Sequence, residues 1–250
     1  MEFLDLKDIS ERGMYLLNPS SPEKVITAGR MAGMHPGAKT IDFGAGFAEP
    51  LVLWSEYFDV HGVGIDLRPY ACQRARDRIA EKGFEDRQKI VCQNAREYRF
   101  EPHAYDVAVC LGATFIWDGL EGTLAALKQA IKPSGKLIVG EVYWRKGPVP
   151  PEFLAHEAGV HTEFELLQIA REAGFDIAWV ERASHADWDH YESGNWQGLL
   201  RWIEESPNHP ERQQVIDHLH ESQEEYFRYG REYFGWAIYV LNPRQYGPSG

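Results

Sequence analysis

The strongest constraint on the fold is the stretch Lys39-Thr40-Ile41-Asp42-Phe43-Gly44-Ala45-Gly46, an extended apolar segment that runs into an acid and two spaced glycines. Glycines at this spacing let the backbone turn tightly beneath a ligand, because neither has a Cβ and both tolerate positive φ. The helix predicted after them points free N–H groups at the same place. A strand, a glycine turn and a helix therefore predict a nucleotide-type site at the carboxyl edge of a parallel sheet.

Short apolar segments further along the chain repeat this alternation of strand and helix. We predict strands at 39–43, 61–66, 89–92, 105–112, 136–140, 175–182 and 234–241. Helical patterns lie between most of them, which is typical of a doubly wound α/β sheet with helices on both faces. Because the chain has 250 residues, we expect one domain over 1–250.

Two segments lie outside the predicted sheet core. An amphipathic pattern ending near Gly13 and a second helix that begins at Ser20 or Ser21 predict an N-terminal helical cap over 1–34. About fifty aromatic-rich residues separate the last two strands. We predict that residues 183–230 form a helical lid over the active edge of the sheet.

Composition narrows the classes of partner. The net charge of −12 and the pI near 5.3 disfavour nucleic acid, whose binding depends largely on Lys and Arg. Three scattered cysteines suit neither a disulfide framework nor a zinc site, so we expect a cytoplasmic protein. We find no signal-peptide pattern, and no window approaches the roughly 20 apolar residues of a membrane span. The sequence predicts no particular oligomeric state.

The acids around the glycine turn discriminate between ligands. Asp66 falls 20 residues after Gly46, where an acid can accept both ribose hydroxyls of an adenosine. A nicotinamide dinucleotide would prefer a third glycine, but Glu49 stands at that position. Asp42 is likewise unfavourable beside phosphates and well suited to an ammonium group. Glu49 and Asp42 therefore disfavour a nicotinamide oxidoreductase.

Taken together, these residues resemble those of the class I S-adenosylmethionine-dependent methyltransferases. The resemblance implies a Rossmann-like, doubly wound, seven-stranded α/β sheet with strand 7 antiparallel, here with an insertion between strands 6 and 7. It assigns the cofactor to residues at strand ends: Asp42, Gly44 and Gly46 for the aminoacyl end, Asp66, followed by Leu67, for the ribose, Asn94 and Ala95 for the adenine, and Cys110, Leu111 and Gly112 for the methionine side.

Within this family, four short motifs are similar to a bacterial subgroup of small-molecule-type enzymes, the YjhP-like proteins. They are Ser10-Glu11-Arg12-Gly13, Leu17-Asn18-Pro19, Cys110-Leu111-Gly112-Ala113-Thr114 and Gly140-Glu141-Val142-Tyr143-Trp144-Arg145. The resemblance implies S-adenosyl-L-methionine as cofactor and in-line transfer of its methyl group to an O, N, S or C atom of a small molecule. A non-catalytic module that binds S-adenosylmethionine or S-adenosylhomocysteine is the alternative.

Two residues are candidates for catalysis. Glu141 follows strand five at the carboxyl edge and could contact the substrate, or it could form an ion pair with Arg145. His190 could act as a base, or it could be a solvated loop residue. Its acidic neighbours match no zinc signature, so we predict no metal site. A base is needed only if the nucleophile arrives protonated.

Four aromatic residues are candidates for the substrate pocket. Trp117, Tyr143 and Trp144 could wall the methyl site and contact the sulfonium through their ring faces, or they could be ordinary packing residues. Tyr15 could cover the cofactor or pack in the core.

Overall fold

The computed structural model describes residues 1–157 and 159–244 of the chain. The helices are α1 (Phe3–Glu11), α2 (Pro22–Met31), α3 (Glu49–Phe58), α4 (Pro69–Glu81), α5 (Leu120–Ala130), α6 (Pro151–His156), α7 (Glu163–Glu172), α8 (His185–Glu205), α9 (Arg212–Glu225) and α10 (Arg231–Tyr233). The strands are β1 (Lys39–Phe43), β2 (His61–Asp66), β3 (Gln88–Cys92), β4 (Tyr105–Leu111), β5 (Ile131–Trp144), β6 (His161–Thr162), β7 (Phe175–Arg182) and β8 (Phe234–Pro243).

The strands form one mixed sheet in the order β3-β2-β1-β4-β5-β8-β7. The strands from β3 to β5 along this order pair in parallel, whereas β8 is antiparallel to both β5 and β7. The two-residue β6 pairs in parallel with the C-terminal end of β5. The predicted seven-stranded Rossmann-like sheet with an antiparallel last strand is confirmed. Because the crossover order reverses between β1 and β4, their carboxyl ends flank the crevice where such sheets bind ligands.

Most helix starts follow from local sequence. Ser21 caps α2 through its side chain, which accepts a hydrogen bond from the Lys24 N–H, and Pro22 occupies the first helical position. Thr162 and Glu165 form a reciprocal capping box at α7. Strand β5 is longer than the predicted 136–140, because its ladder with β8 continues to Trp144.

Helices cover both faces of the sheet and make two buried clusters. On one face α2, α3 and α4 pack around Trp54, whose indole N–H donates to the Val25 carbonyl at 2.8 Å. On the other face Leu124 of α5 and Leu166 of α7 belong to one buried cluster with Phe43 of β1. A third apolar cluster joins α1 to α8 and α9; its members are Leu6, Leu199, Ile203, Val215 and Leu219. No helix in the described part of the chain is long and apolar enough to cross a membrane.

Candidate cofactor site

A cavity of about 540 Å³ opens at the carboxyl edge of β1, β2 and β4. Its floor comes from the strand ends and its cover from the N-terminal segment. The floor residues include Asp42, Gly44, Ala45, Gly46, Ile65, Asp66, Leu67, Asn94, Ala95, Leu111 and Gly112. The cover residues include Phe3, Leu4, Lys7, Glu11, Tyr15, Leu16, Leu17 and Asn18. The structure thus gathers nine of the ten cofactor residues predicted from the sequence around one cavity.

The glycine turn requires glycine at both positions. Gly44 has φ +78° and Gly46 has φ +53°, and side chains other than glycine are strained there. A Cβ on Gly44 would lie 2.5 Å from the Ala113 Cβ, too close for any real contact. The Gly44 and Ala45 N–H groups donate to the Ile65 carbonyl at 2.8 and 3.0 Å. These bonds hold the turn against the end of β2.

Asp66 joins this turn to the start of α4. One carboxylate oxygen accepts the Gly46 N–H and the other accepts the Arg68 N–H, both at 2.9 Å. A carboxylate oxygen has two lone pairs, so each can accept a further bond from a ligand hydroxyl. Asp66 is therefore fixed in orientation and retains the acceptor capacity that a ribose diol requires.

Asp42 is the electrostatically unusual residue of the floor. It is buried, and its Oδ1 atom has no hydrogen-bond partner within the protein. Burial, followed by the nearby Asp66 carboxylate, raises the pKa of Asp42 from its ordinary value of 3.8 to about 7. A cationic hydrogen-bond donor beside Asp42 would offset both the burial of its charge and the repulsion from Asp66. This cradle therefore fits the ammonium group of an aminoacyl ligand and fits a phosphate poorly.

The remaining floor residues come from the loops after β2, β3 and β4. Asn94 is held by an Asx-type bond in which its Oδ1 accepts the Arg96 N–H at 3.0 Å. Leu67 is 57% exposed and offers an apolar face. Cys110 differs from the other nine: it is fully buried and lies outside the cavity lining, because adjacent residues of a strand point to opposite faces, and its role stays a prediction.

Ion pairs hold α1 over the cavity. The Arg68 guanidinium donates to Glu11 at 2.7 Å and to Asp8 at 3.2 Å. Lys7 lies 3.4 Å from Glu11 and 3.5 Å from the Tyr191 hydroxyl. Since Arg68 lies two residues after Asp66 at the end of β2, these contacts connect the cover to the floor.

The predicted lid differs from the observed cover. Of residues 183–230, all of which the structure describes, only Tyr191 lines the cavity. Helices α8 and α9 instead pack behind α1 through the Leu6 cluster. The insertion supports the cover, and the covering residues belong to the first eighteen of the chain. The division of the chain at 34, 183 and 230 stays a prediction.

Glu49, which replaces the third glycine of a dinucleotide turn, has a structural partner. Arg78 donates to its two carboxylate oxygens at 2.8 and 3.0 Å. The Arg78 guanidinium also lies 4.7 Å from the centroid of the Tyr15 ring. Tyr15, 58% exposed, lines the cavity as predicted for a cofactor cover, but its role there stays a prediction.

Three predicted pocket aromatics lie outside this cavity and their rings pack elsewhere, so a role in the substrate pocket stays a prediction for each. Trp117 packs edge-on against Phe43 in the core, with 5.2 Å between centroids. Trp144 stacks on Phe234 at 5.3 Å. Tyr143 is buried and its ring fills the space where a Gly235 side chain would stand. The lining residues found in the described part of the chain include none of the three.

The two catalytic candidates also lie outside the cavity lining. The Glu141 carboxylate accepts its neighbour's N–H, from Val142, at 3.1 Å, and burial raises the pKa of that carboxyl. Arg145 bonds instead with His185, at 2.6 Å. His190 is exposed on α8. Their roles stay predictions. Within 1–157 and 159–244, no group of three or more His, Cys, Asp or Glu side chains could hold a metal ion.

Sequence reasoning assigned no role to two residues that matter here. Arg68 clamps the cover, and Asn18 lines the cavity with its Nδ2 donating to the Leu111 carbonyl at 3.2 Å. The only sequence signal for Asn18 was its place in the Leu17-Asn18-Pro19 motif, which by itself does not say what the side chain contacts.

Comparisons with known proteins agree with this arrangement. The Methyltransferase domain family matches residues 41–139. The chain is 33% identical to YjhP of Escherichia coli strain K12 over 94% of its length and 97% of that protein.

Solved structures of S-adenosylmethionine-dependent methyltransferases also match this chain. A crystal structure of an S-adenosylmethionine-dependent methyltransferase from Geobacter sulfurreducens, in complex with S-adenosyl-L-homocysteine, matches with a TM-score of 0.91 and 31% identity, covering 96% of this chain and 98% of that one. The X-ray structure of E. coli YjhP matches with a TM-score of 0.90 and 32% identity, covering 96% and 99%. The chain therefore belongs to the class I S-adenosylmethionine-dependent methyltransferases, in the group that includes YjhP.

Proposed function

We propose that the cavity binds S-adenosylmethionine with its aminoacyl end against Asp42 and the glycine turn, its ribose at Asp66, and its adenine beside Asn94 and Ala95. The observation that carries this assignment is the partnerless Oδ1 atom of Asp42, a buried acceptor at the place where an ammonium group is expected. When bound, the cofactor supplies a methyl group that is already activated by its sulfonium.

The chain's own contribution is mainly to orient and enclose the reactants. Asp42 and Asp66 hold the aminoacyl end and the ribose of the donor, and Gly112, at φ +73°, leaves the wall beside β4 without a side chain. Alignment of two reactants can lower a barrier by several kcal/mol, up to roughly 7–11 in near-ideal cases. The cover formed by α1 and residues 15–18 would exclude water from the reacting atoms.

The acceptor in this proposal is a small molecule. The cavity volume of about 540 Å³ lies within the range of about 300–1,000 Å³ typical of small-ligand sites. The net charge of −12 makes a nucleic-acid acceptor unfavourable. The free thiols Cys72, Cys92 and Cys110 agree with a cytoplasmic location, which we include in the proposal.

Calorimetry with S-adenosylhomocysteine tests the cofactor assignment. We expect binding by the intact protein and a loss of roughly ten- to a hundredfold in affinity for Asp66→Ala, because that change removes charged acceptors of the ribose hydroxyls. Asp77→Ala is the matched control, since Asp77 is exposed on α4 and lies outside the cavity. No binding by the intact protein, or equal affinities for the two variants, would contradict the assignment.

A transfer assay separates catalysis from the non-catalytic alternative. The protein is incubated with methyl-labelled cofactor and fractionated metabolite pools, and labelled product is measured by mass spectrometry. At a cofactor concentration near the dissociation constant of the intact protein, we expect product that falls steeply with Asp66→Ala and persists with Asp77→Ala. Tight cofactor binding without product from any pool would favour a binding module.

A further inference from the structure

The Asn18 side chain lines the cavity and holds a buried acceptor that the protein does not use. Asn18 belongs to the segment between α1 and α2, and its Nδ2 donates to the carbonyl of Leu111, the last residue of β4. This bond at 3.2 Å fixes the orientation of the amide. Its Oδ1 atom is buried and has no hydrogen-bond partner within the protein. An acceptor left without a partner is unfavourable, so an oxygen fixed in this way beside a cavity indicates a ligand that donates to it.

This acceptor stands at the junction of β4 and the glycine turn. A Cβ on Gly112 would lie 3.7 Å from the Asn18 Nδ2 atom, and a Cβ on Gly44 would touch the Ala113 side chain. The ends of β1 and β4 are therefore packed together here, and Asn18 lies across them. Among the described lining residues, Asp42 also has a partnerless oxygen, and in the parallel pairing of β1 with β4 it lies opposite Val109, two residues before Leu111.

The chemistry of the ligand follows from which hydrogen-bond donors are left to pair with Asn18 Oδ1 once the basic side chains of the protein are excluded. The basic side chains that line the cavity near the cover, Lys7 and Arg68, already pair with Glu11, so neither is free for Asn18. An aminoacyl ammonium carries three N–H donors and needs more acceptors than the single Asp42 oxygen supplies. We propose that Asn18 Oδ1 accepts a hydrogen bond from the ammonium group of S-adenosylmethionine, which makes the N-terminal cover part of the cofactor site. This inference rests on the proposed function.

The consequence is a link between the aminoacyl end of the cofactor and the cover. Leu17, the neighbour of Asn18, lies directly on the glycine turn, with its Cδ1 atom 2.7 Å from the place of a Gly46 Cβ. A ligand with the ammonium group therefore holds residues 17 and 18 on the floor. A ligand that lacks the aminoacyl end binds the floor without holding the cover.

Two ligands and matched variants test this. We would measure the dissociation constants of S-adenosylhomocysteine and of 5′-methylthioadenosine, which has the same nucleoside and sulfur but no aminoacyl end. For Asn18→Ala we expect about tenfold weaker binding of S-adenosylhomocysteine, the size expected of one charge-assisted hydrogen bond, and unchanged binding of 5′-methylthioadenosine. Asn208→Ala, at an exposed asparagine, should change neither constant.

The ratio of the two constants is the decisive quantity, because partial misfolding lowers both affinities equally. A ratio in Asn18→Ala equal to that of the intact protein overturns the inference, and equal losses for both ligands indicate a purely structural role. Unchanged S-adenosylhomocysteine binding with reduced methyl transfer would place Asn18 at the acceptor and also overturn it. If the intact protein binds neither ligand, the proposed function itself fails and the inference fails with it.

Discussion

Replacing Asp42 by asparagine should stabilise the ligand-free protein in a pH-dependent way. The pKa of Asp42 is raised from 3.8 to about 7, so the folded state binds a proton that the unfolded chain releases between those values. Its contribution to stability is present below pH 3.8 and is lost as the pH rises through about 7. At 1.36 kcal/mol per pH unit, the raised pKa of Asp42 costs the folded state about 2 kcal/mol at pH 5, where the folded carboxyl is still protonated, and about 4 kcal/mol at pH 8, where it is ionised. The asparagine amide of the variant would not titrate.

The quantity to measure is the change in the stability gain of Asp42→Asn between pH 5 and pH 8. We expect the stability gain of Asp42→Asn over the intact protein to grow by about 2–3 kcal/mol from pH 5 to pH 8. In a chain of this size, this corresponds to a further rise in Tm of roughly 4–12 °C, measured by calorimetry without ligand. Any cost of the asparagine amide is the same at both pH values and cancels. A gain that is equal at pH 5 and pH 8, or smaller at pH 8, would refute the reasoning.

Three further substitutions test the architecture around the site. Gly44→Ala should lower the free energy of unfolding by about 1–3 kcal/mol, because Gly44 has a positive φ and a Cβ there would clash with Ala113 in the loop after β4. The control Gly13→Ala places its Cβ in open space and should change the free energy of unfolding by less than about 0.5 kcal/mol. Arg78→Met should cost about 3 kcal/mol by leaving Glu49 buried and unpaired, and Arg78→Met with Glu49→Met should recover most of it in urea unfolding. Leu199→Ala should cost about 2–4 kcal/mol and speed hydrogen exchange in α1; unchanged exchange there would contradict the packing of α8 behind the cover.

The fold and the cofactor floor were predictable because their signals are local. The glycine turn must be glycine for backbone reasons, and Asp42 and Asp66 each end an apolar strand pattern. In a parallel sheet, strand ends meet at one edge whatever else the chain does. Residues far apart in sequence could therefore be placed around one site without knowing any side-chain contact.

The place of the insertion and the packing of the aromatics were not predictable, because they depend on which element packs on which. Tyr143 and Trp144 follow the fifth strand in sequence, but the structure extends β5 through both, and β8 pairs along it. The sequence likewise shows apolar stripes on α1 and α8 but not that Leu6 and Leu199 meet. An aromatic-rich insertion of about fifty residues suggested a lid, whereas the shorter N-terminal segment covers the cavity.

The cost of Asp42 and the identity of the ligand follow from the same cause. A buried carboxylate without a partner is unfavourable in the ligand-free protein, and proton uptake near neutral pH partly relieves it. An ammonium group replaces that proton and pairs with the carboxylate, so binding the aminoacyl end should release a proton and strengthen as the pH rises through about 7. A phosphate would add a second negative charge instead and raise the cost. In the proposed function, the destabilising residue of the floor is thus the one that would select a cationic ligand over a dinucleotide.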